Sequence, residues 1–476
     1  MTSPDHRVAL PDTSYFFIGN GLVCAAVQFA AGGQGTPLGL VIDDAARLAP
    51  KRDALSMGPS GLGAVAVGLR VGDEILGPSL PNLGVRWDDE GDVPTVVAFW
   101  GHGDLSVRER FFVPAAGARR IVREIGVLNS AAVAQRVTLL AGEGRAMLTR
   151  DLDVPAGGHA FATVVYEVGS REPSIGMRFS EPESPDTDLA AWWQALTRLS
   201  LGDGLLDHAF LASRYQLPAV VPLRGAIPAE CWGGPGDIEH RAAVAVACLQ
   251  LGAWPQARRI LEAAESALPS PTPRDRMRLR DAWQQYAWWT ADARQMPASA
   301  SATSDSNEVD LTPGRSTPLT ALGSTRSGRT LDILLAARAC LDRGDATEAA
   351  AKLAWLGQVS GSRAGTWFTA YDEDGDPDAD AASDAGVSSR AWAEIVQLAV
   401  GQITGLRPAA DGVHVQPRLL PGVDRMTATV RIREMTLQLE VIADDSIGLE
   451  TAYVLPYGTG EVAAQIKARR APVPAG

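Results

Sequence analysis

The sequence is poor in the residues that build metal centres and disulfide frameworks. Its 476 residues include only six histidines and four cysteines, and the cysteines are scattered at Cys24, Cys231, Cys248 and Cys340. No two cysteines have the close spacing that is typical of zinc ligands or of a small disulfide-rich domain. We therefore expect reduced cysteines, no metal and no cofactor.

Basic excess and long apolar runs are also lacking. The chain has 43 Lys and Arg against 56 Asp and Glu, for a net charge of −13. This balance argues against nucleic acid or an anionic membrane as the main partner. No run approaches the roughly 18 apolar residues that a membrane-spanning helix needs, and no apolar segment follows the first residues as in a signal peptide. A cytoplasmic protein is the expectation.

The hydrophobic pattern divides the chain into three regions. Residues 1–185 show short alternating runs between Gly, Asp and Pro turns, which predict an N-terminal antiparallel β-sandwich. The period becomes helical over 186–405 and alternates again over 406–476, which predicts a small C-terminal β domain. The predicted fold class is therefore mixed and multidomain, in the order β-sandwich, all-α region, β-sandwich.

The helical region shows eight candidate helices. Their caps include Asp203 and Asp237 at starts and Gly405 at an end. The predicted helices cover 188–199, 203–217, 238–251, 255–267, 275–292, 329–343, 346–358 and 386–403. Between the fifth and the sixth, residues 296–328 are rich in Ser, Thr and Gly, which is typical of a flexible loop or an active-site lid.

Residues 227–241 carry the densest candidate chemistry. Trp232, Glu230, Asp237 and Glu239 surround a Gly-rich turn that leads directly into a helical hairpin. Tryptophan faces stack on sugar rings, and short carboxylates accept hydrogen bonds from sugar hydroxyls. We predict that these four residues bind carbohydrate. Structural roles are the alternative, since Asp237 is also a good helix N-cap and Glu239 complements the helix dipole.

Three segments together resemble the six-hairpin (α/α)6-barrel glycosidases and their phosphorylase relatives. The first looks like paired strands of that family's supersandwich, the second like its loop and Leu-Gly hairpin, and the third like its last barrel helix and the entry to its C-terminal domain. They are Val107–Pro114 with Ile121–Ser130, Trp232–Leu261, and Ser389–Trp392 through Gly405–Pro417. The resemblance implies a helical barrel between two β domains and a small carbohydrate as the ligand.

The resemblance also implies a glycoside hydrolase, most simply an inverting one, acting on a small glucoside or mannoside. Such chemistry needs a carboxylic acid at the leaving oxygen and a carboxylate that activates water, about 6.5–9.5 Å apart. We predict Glu308 as the acid and Glu373 as the base, with Trp367 as a further sugar-binding residue. The alternatives are Asp281 and Asp310 for the acid, and Asp372 and Asp384 for the base.

Three departures from the family pattern support a rival hypothesis. Gly236 stands where the family usually has an arginine, and residues 367–370 offer no carboxylate. About eight helices are counted where a complete barrel has twelve. A catalytically degenerate relative that binds carbohydrate, or that serves as a scaffold, would show these same departures.

Overall fold

The computed structural model describes most of the chain. The described residues are 13–30, 37–44, 67–79, 82–88, 91–142, 147–169, 175–227, 230–231, 236–267, 272–292, 328–378, 386–447 and 452–471. Strands dominate the first part, helices the middle, and strands the last part. The predicted order of β, α and β regions is found in this part of the chain, whereas a complete (α/α)6 barrel is not shown.

Antiparallel sheets make up the N-terminal region. A six-stranded sheet has the order β13-β12-β9-β8-β7-β6, and a four-stranded sheet has the order β11-β10-β4-β5. A third sheet, β1-β2-β3, has strands β1 and β2 that are buried along their whole length. The strands are β1 Thr13–Gly19, β2 Val23–Ala30, β3 Leu38–Asp44, β4 Val67–Val71, β5 Glu74–Leu76, β6 Gly84–Trp87, β7 Val96–His102, β8 Leu105–Phe112, β9 Arg120–Asn129, β10 Gln135–Ala141, β11 Leu148–Val154, β12 His159–Val168 and β13 Ile175–Ser180.

The middle region contains the predicted helices with small shifts of their ends. Asp203 and Asp237 are N-caps, as predicted, and each accepts hydrogen bonds from the first turn of its helix. The α-helices are α1 Thr187–Gln194, α2 Gly204–Ala219, α3 Ile238–Leu251, α4 Trp254–Ser266, α5 Pro273–Thr290, α6 Thr330–Asp342, α7 Ala346–Leu353 and α8 Ser389–Val396. Two 3₁₀ turns, Ala354–Gly357 and Ser362–Ala364, follow α7.

In two of the predicted helices, the C-terminal part has another type of secondary structure. The helix expected over 188–199 ends at Gln194, and Arg198–Ser200 forms strand β14, which pairs with the C-terminal strand β21 (Arg425–Ile432). Tertiary strand pairing here overrides a local helical preference. The helix expected over 386–403 starts only at Ser389, and from Gln397 to Ile403 it continues as a π-helix.

Helices α3, α5, α6 and α8 run in the same direction. Glu239 at the start of α3 contacts Arg274 at the start of α5, and Gln250 and Trp288 near their ends line one cavity. Helix α6 starts beside the bridge that precedes α8, and Arg338 of α6 contacts Glu394 of α8. The first turns of the four helices therefore face one end of the helical region.

Short strands tie the loops together at that end. Strand β15 (Glu230–Cys231) pairs with β18 (Val387–Ser388), and β16 (Gly328–Arg329) pairs with β17 (Ala370–Tyr371). The C-terminal region then forms two sheets, of which the larger has the order β14-β21-β22-β24. Its remaining strands are β19 Leu406–Pro408, β20 Val413–Val415, β21 Arg425–Ile432, β22 Met435–Ala443, β23 Tyr453–Leu455 and β24 Gly460–Ala468.

The sheet β1-β2-β3 shares its core with the helices. The backbone N–H of Phe17 in β1 donates to Gln216 Oε1 of α2, and Trp87 Nε1 donates to the carbonyl of Ala364, at 3.1 and 3.0 Å. These buried contacts join the predicted domains 1–185 and 186–405 across one continuous apolar cluster. The three-domain division itself stays a prediction. None of the described helices is long and apolar enough to cross a bilayer.

Candidate functional site

Backbone pairing brings together three segments that the sequence singled out. Glu230 pairs with Ser388, Cys231 pairs with Val387, and Phe368 forms a bridge to Val387. Residues 230–231, 236–240, 367–373 and 387–390 therefore meet where α3 and α8 begin, although they are far apart in the sequence. We call this end of the helical region the barrel mouth, after the barrel that the sequence resemblance implies.

Asp237 lies exposed at the barrel mouth and caps α3. Its Oδ1 accepts a hydrogen bond of 2.7 Å from the backbone N–H of His240. A carboxylate oxygen has more than one lone pair, so the cap does not exhaust the capacity of this side chain to accept hydrogen bonds. The structural and the ligand-binding roles considered for Asp237 are therefore compatible.

Gly236 stands where the glycosidase family that the sequence resembles usually has an arginine, and the structure gives a steric reason for the glycine. A Cβ atom at this position would lie 2.6 Å from Cδ2 of the His240 ring, closer than van der Waals contact allows. The His240 ring is buried, and its Nε2 lies 3.0 Å from Ser389 Oγ. An arginine at 236 would therefore require the His240 ring and its contact with α8 to move.

The carboxylate of Glu239 forms ion pairs with two arginines. Its carboxylate lies 3.2 Å from Arg274 and 3.2 Å from Arg278, both on α5. Its backbone carbonyl accepts a hydrogen bond of 2.7 Å from Arg390 Nη1 of α8. The side chain is about half exposed and its charge is already paired, so Glu239 fixes α3, α5 and α8 relative to one another.

Arg241 is a residue of the barrel mouth that the sequence reasoning missed. It is buried one turn after Asp237, and its Nε has no hydrogen-bond partner among the protein's own described atoms. Burial lowers the pKa of Arg241, while the neighbouring Asp237 carboxylate opposes that shift. The i, i+4 spacing of Asp237 and Arg241 on α3 was the signal that could have revealed the pair.

Glu373 lies on an exposed turn that follows β17. The turn is shaped by Asp372, whose Oδ1 accepts 3.0 Å hydrogen bonds from the backbone N–H groups of Asp374 and Asp376. The carboxylate of Glu373 is exposed on this turn, next to the barrel mouth. A catalytic role for Glu373 stays a prediction.

Trp367 lies in the core. It is fully buried, and its indole Nε1 donates a 3.1 Å hydrogen bond to the carbonyl of Leu356. In this structure its ring has no exposed face on which a sugar could stack. Its predicted role in binding sugar is not supported by this placement.

Replacing Trp367 by phenylalanine tests that reading. We expect Trp367→Phe to lower the free energy of unfolding by about 1–3 kcal/mol, because the carbonyl of Leu356 loses its donor and the core loses volume. Sugar binding should be unchanged, as measured by calorimetry beside the denaturant titration. Loss of binding with unchanged stability would restore the stacking role.

Several predicted residues lie outside the described part of the chain. These are Trp232, Glu308, Asp310 and Asp384, and for Glu230 only the backbone in β15 is described. Asp281 is described, on an exposed position of α5. Partial removal from water raises the pKa of Asp281, and the guanidinium groups of Arg280 and Arg278 oppose this.

Behind the barrel mouth, one buried carboxylate holds two helices. Glu394 of α8 is 0% exposed and contacts Arg338 of α6 and, at 2.8 Å, Arg390 of its own helix. The group is fully enclosed by its partners, so it is unsuited to proton exchange with a ligand. Its role is to join α6 to α8.

Metal-binding chemistry finds no candidate among the described residues. They contain no group of three or more His, Cys, Asp or Glu side chains placed to hold a metal ion. All four cysteines are buried and unpaired with one another, and burial raises the pKa of the Cys248 thiol. A buried thiol with a raised pKa is a poor nucleophile and a poor ligand at neutral pH.

Comparison with known proteins does not establish a family for this chain. No family model matches the sequence, and no curated protein matches it. Among solved structures, the chain is similar to one described as "Putative kojibiose phosphorylase from human microbiome", with 7% identity over 90% of this chain and 92% of that one. The TM-score is 0.35, which is too low to establish a common fold.

Proposed function

We propose that this protein binds a small neutral carbohydrate at the barrel mouth. The observation that carries the proposal is the backbone pairing that assembles residues 230–231, 236–240, 367–373 and 387–390 at one end of parallel helices. The exposed carboxylate of Asp237 supplies acceptors for sugar hydroxyls there. The resemblance of Trp232–Leu261, and of Ser389–Trp392 through Gly405–Pro417, to carbohydrate-active enzymes supports this ligand class.

Asp237→Asn tests the proposal without disturbing the helix. Asparagine caps a helix about as well as aspartate, so the thermal unfolding of the variant should match that of the parent protein. We expect at least tenfold weaker binding, because a neutral amide oxygen accepts sugar hydrogen bonds less strongly than a carboxylate does. Binding is followed by ligand-observed NMR with neutral mono- and disaccharides.

Asp203→Asn is the matched control. Asp203 caps α2 in the same way, with its side chain accepting from Leu205 N and Leu206 N, but it lies outside the barrel mouth. Its replacement should leave sugar affinity unchanged. If both variants lose affinity equally, or if the parent protein binds no sugar in the panel, the proposal is wrong.

Hydrolysis of a glycosidic bond is the second candidate function. The exposed position of Glu373 on the turn after β17 favours it. We propose Glu308 as the acid and Glu373 as the base of an inverting reaction. This assignment goes beyond carbohydrate binding and needs its own test.

The test of hydrolysis is to incubate the protein with nitrophenyl glycosides and small disaccharides while NMR follows the anomeric configuration of the released sugar. We expect inversion, and a loss of turnover of at least a hundredfold in Glu373→Gln and Glu308→Gln with sugar affinity retained. Asp374→Asn, in the same turn as Glu373, serves as the control. Sugar binding without turnover in the parent protein would leave the binding function alone.

A further inference from the structure

A second polar cavity lies at the other end of the helices. It has a volume of about 240 Å³ and is enclosed by the last turns of α3 and α5, the middle of α6, the π-helix and strand β19. Four side-chain amides contribute to its walls, from Gln250, Gln285, Gln397 and Gln402. Trp288, Trp289, Arg338 and Arg407 complete the polar and aromatic lining.

Two polar atoms at these walls have no partner among the protein's own described atoms. They are Oε1 of Gln250, a residue only 7% exposed, and Nε of Arg338. Buried polar atoms are nearly always hydrogen-bonded, so each such exception calls for an explanation. One acceptor and one donor close to the same cavity match a ligand that both donates and accepts hydrogen bonds.

The lining of the cavity contains arginine side chains, although the chain as a whole is negatively charged. Arg407 and Arg418 both donate to Gln402 Oε1, at 3.1 and 3.0 Å. Among the described residues that line the cavity there is no carboxylate, and Glu394 nearby is fully enclosed by its own arginine partners. Removal from water lowers the pKa of Arg407, as does the nearby Arg418 charge, with Asp342 opposing. An anion placed here would gain attraction from the Arg407 guanidinium, since the charge of Arg338 is already paired with Glu394.

The π-helix shapes one wall of this cavity. Gln397, Gly401 and Gln402 all belong to it and all line the cavity. A Cβ atom at Gly401 would lie 3.1 Å from Gln250 Nε2, so glycine is what lets the Gln250 amide pack beside this wall. Insertions of π-type turns into α-helices are rare and occur frequently at functional sites.

We propose that this cavity is a second binding site, which takes a small polyhydroxylated anion: a monosaccharide that carries a phosphate or a carboxylate group. The amides bind its hydroxyls, Trp288 packs against its ring, Arg407 binds its acidic group, and Nε of Arg338 donates a hydrogen bond to one of its oxygens. The volume suits one sugar ring and excludes an oligosaccharide. Gln250 lies 13 residues after Asp237 on α3, about 20 Å along the helix, so this site is independent of the barrel mouth.

Calorimetric titration of the full-length protein tests the proposal. The probes are glucose 6-phosphate, glucuronate, glucose and inorganic phosphate. We expect one-to-one binding of glucose 6-phosphate or glucuronate, at least tenfold tighter than glucose or phosphate alone, and the comparison of the first two identifies the acidic group. Failure of both acidic sugars to bind would overturn the proposal.

Two variants locate that binding. Arg407→Gln removes an exposed guanidinium and should weaken the acidic sugar at least tenfold without changing the melting temperature. Gln250→Leu keeps the side-chain volume but removes the unpartnered acceptor, so it should also weaken binding while the melting temperature stays equal or rises. If Gln250→Leu fails to fold, the exposed Arg407 variant still decides the question.

The controls separate this site from general charge and from the barrel mouth. Arg136→Gln removes one exposed positive charge from strand β10 and should leave the affinity unchanged. Asp237→Asn should also leave the affinity for the acidic sugar unchanged, whether or not neutral sugars bind at the barrel mouth. An equal loss in Arg407→Gln and Arg136→Gln would show unspecific attraction and would overturn the proposal.

Discussion

Glu394→Gln is expected to lower the free energy of unfolding by about 3–5 kcal/mol, the range measured when one partner of a buried ion pair is removed. Glu394 is 0% exposed, while the side chains of Arg338 and Arg390 are 24% and 12% exposed. The substitution leaves two poorly hydrated guanidinium groups next to each other with no opposing charge. Urea titration followed by circular dichroism measures the loss.

Two comparisons make this result specific. Glu262→Gln breaks an exposed pair with Arg258 on α4 and should change the free energy of unfolding little, because water screens that pair. Replacing Glu394, Arg338 and Arg390 together by Leu, Met and Leu should recover part of the loss, since no unpaired charge remains. A loss below about 1 kcal/mol in Glu394→Gln would contradict the proposed link between α6 and α8.

Gly405→Ala is expected to lower the free energy of unfolding by about 3–5 kcal/mol, or to prevent soluble expression. Gly405 ends the long last helix with a φ of +68°, a conformation that costs an alanine about 1–2 kcal/mol. The added Cβ would also lie 1.9 Å from the backbone oxygen of Gln416, at the entry to the C-terminal strands. Because backbone and not a flexible side chain blocks the space, the chain cannot relax easily.

Gly422→Ala separates the cost of the left-handed backbone conformation from the cost of the steric clash. Gly422 has a similar φ of +79°, but a Cβ there would meet nothing within 4 Å. We expect only the conformational cost of about 1–2 kcal/mol. Thermal unfolding of the two variants side by side gives the comparison, and equal losses would show that the approach of Gln416 is unimportant.

The sequence predicted those features that depend on neighbouring residues. Helix α3 was predicted over 238–251 and is found there, because Asp237 caps its start and Gly252 adopts the left-handed conformation at its end. The alternation of apolar residues likewise predicted strands such as β21 and β22, since one face of each packs into the core. Caps and periodicity are local, so they can be read without knowing the fold.

The assignment of tryptophans shows where local reading fails. A helix or strand pattern predicts which face of the element is buried, but not which neighbouring element covers that face. Trp367 was taken as a sugar-binding residue and is fully buried beside Leu356. The neighbouring tryptophans Trp288 and Trp289 both line the second cavity, and Trp289 is also buried in the core.

The sequence by itself thus determined the order of β and α regions, the helices with their caps, and the segments that carry candidate sugar-binding groups. Only the tertiary structure decided that α3, α5, α6 and α8 run parallel, that Arg338 meets Glu394 across 56 positions of sequence, and that a cavity lies under a π-helix. The physical reason is the distance along the sequence over which each interaction acts. Hydrogen bonds within a turn and the period of a helix leave a pattern in adjacent residues, whereas contacts between distant elements depend on how all of them pack together.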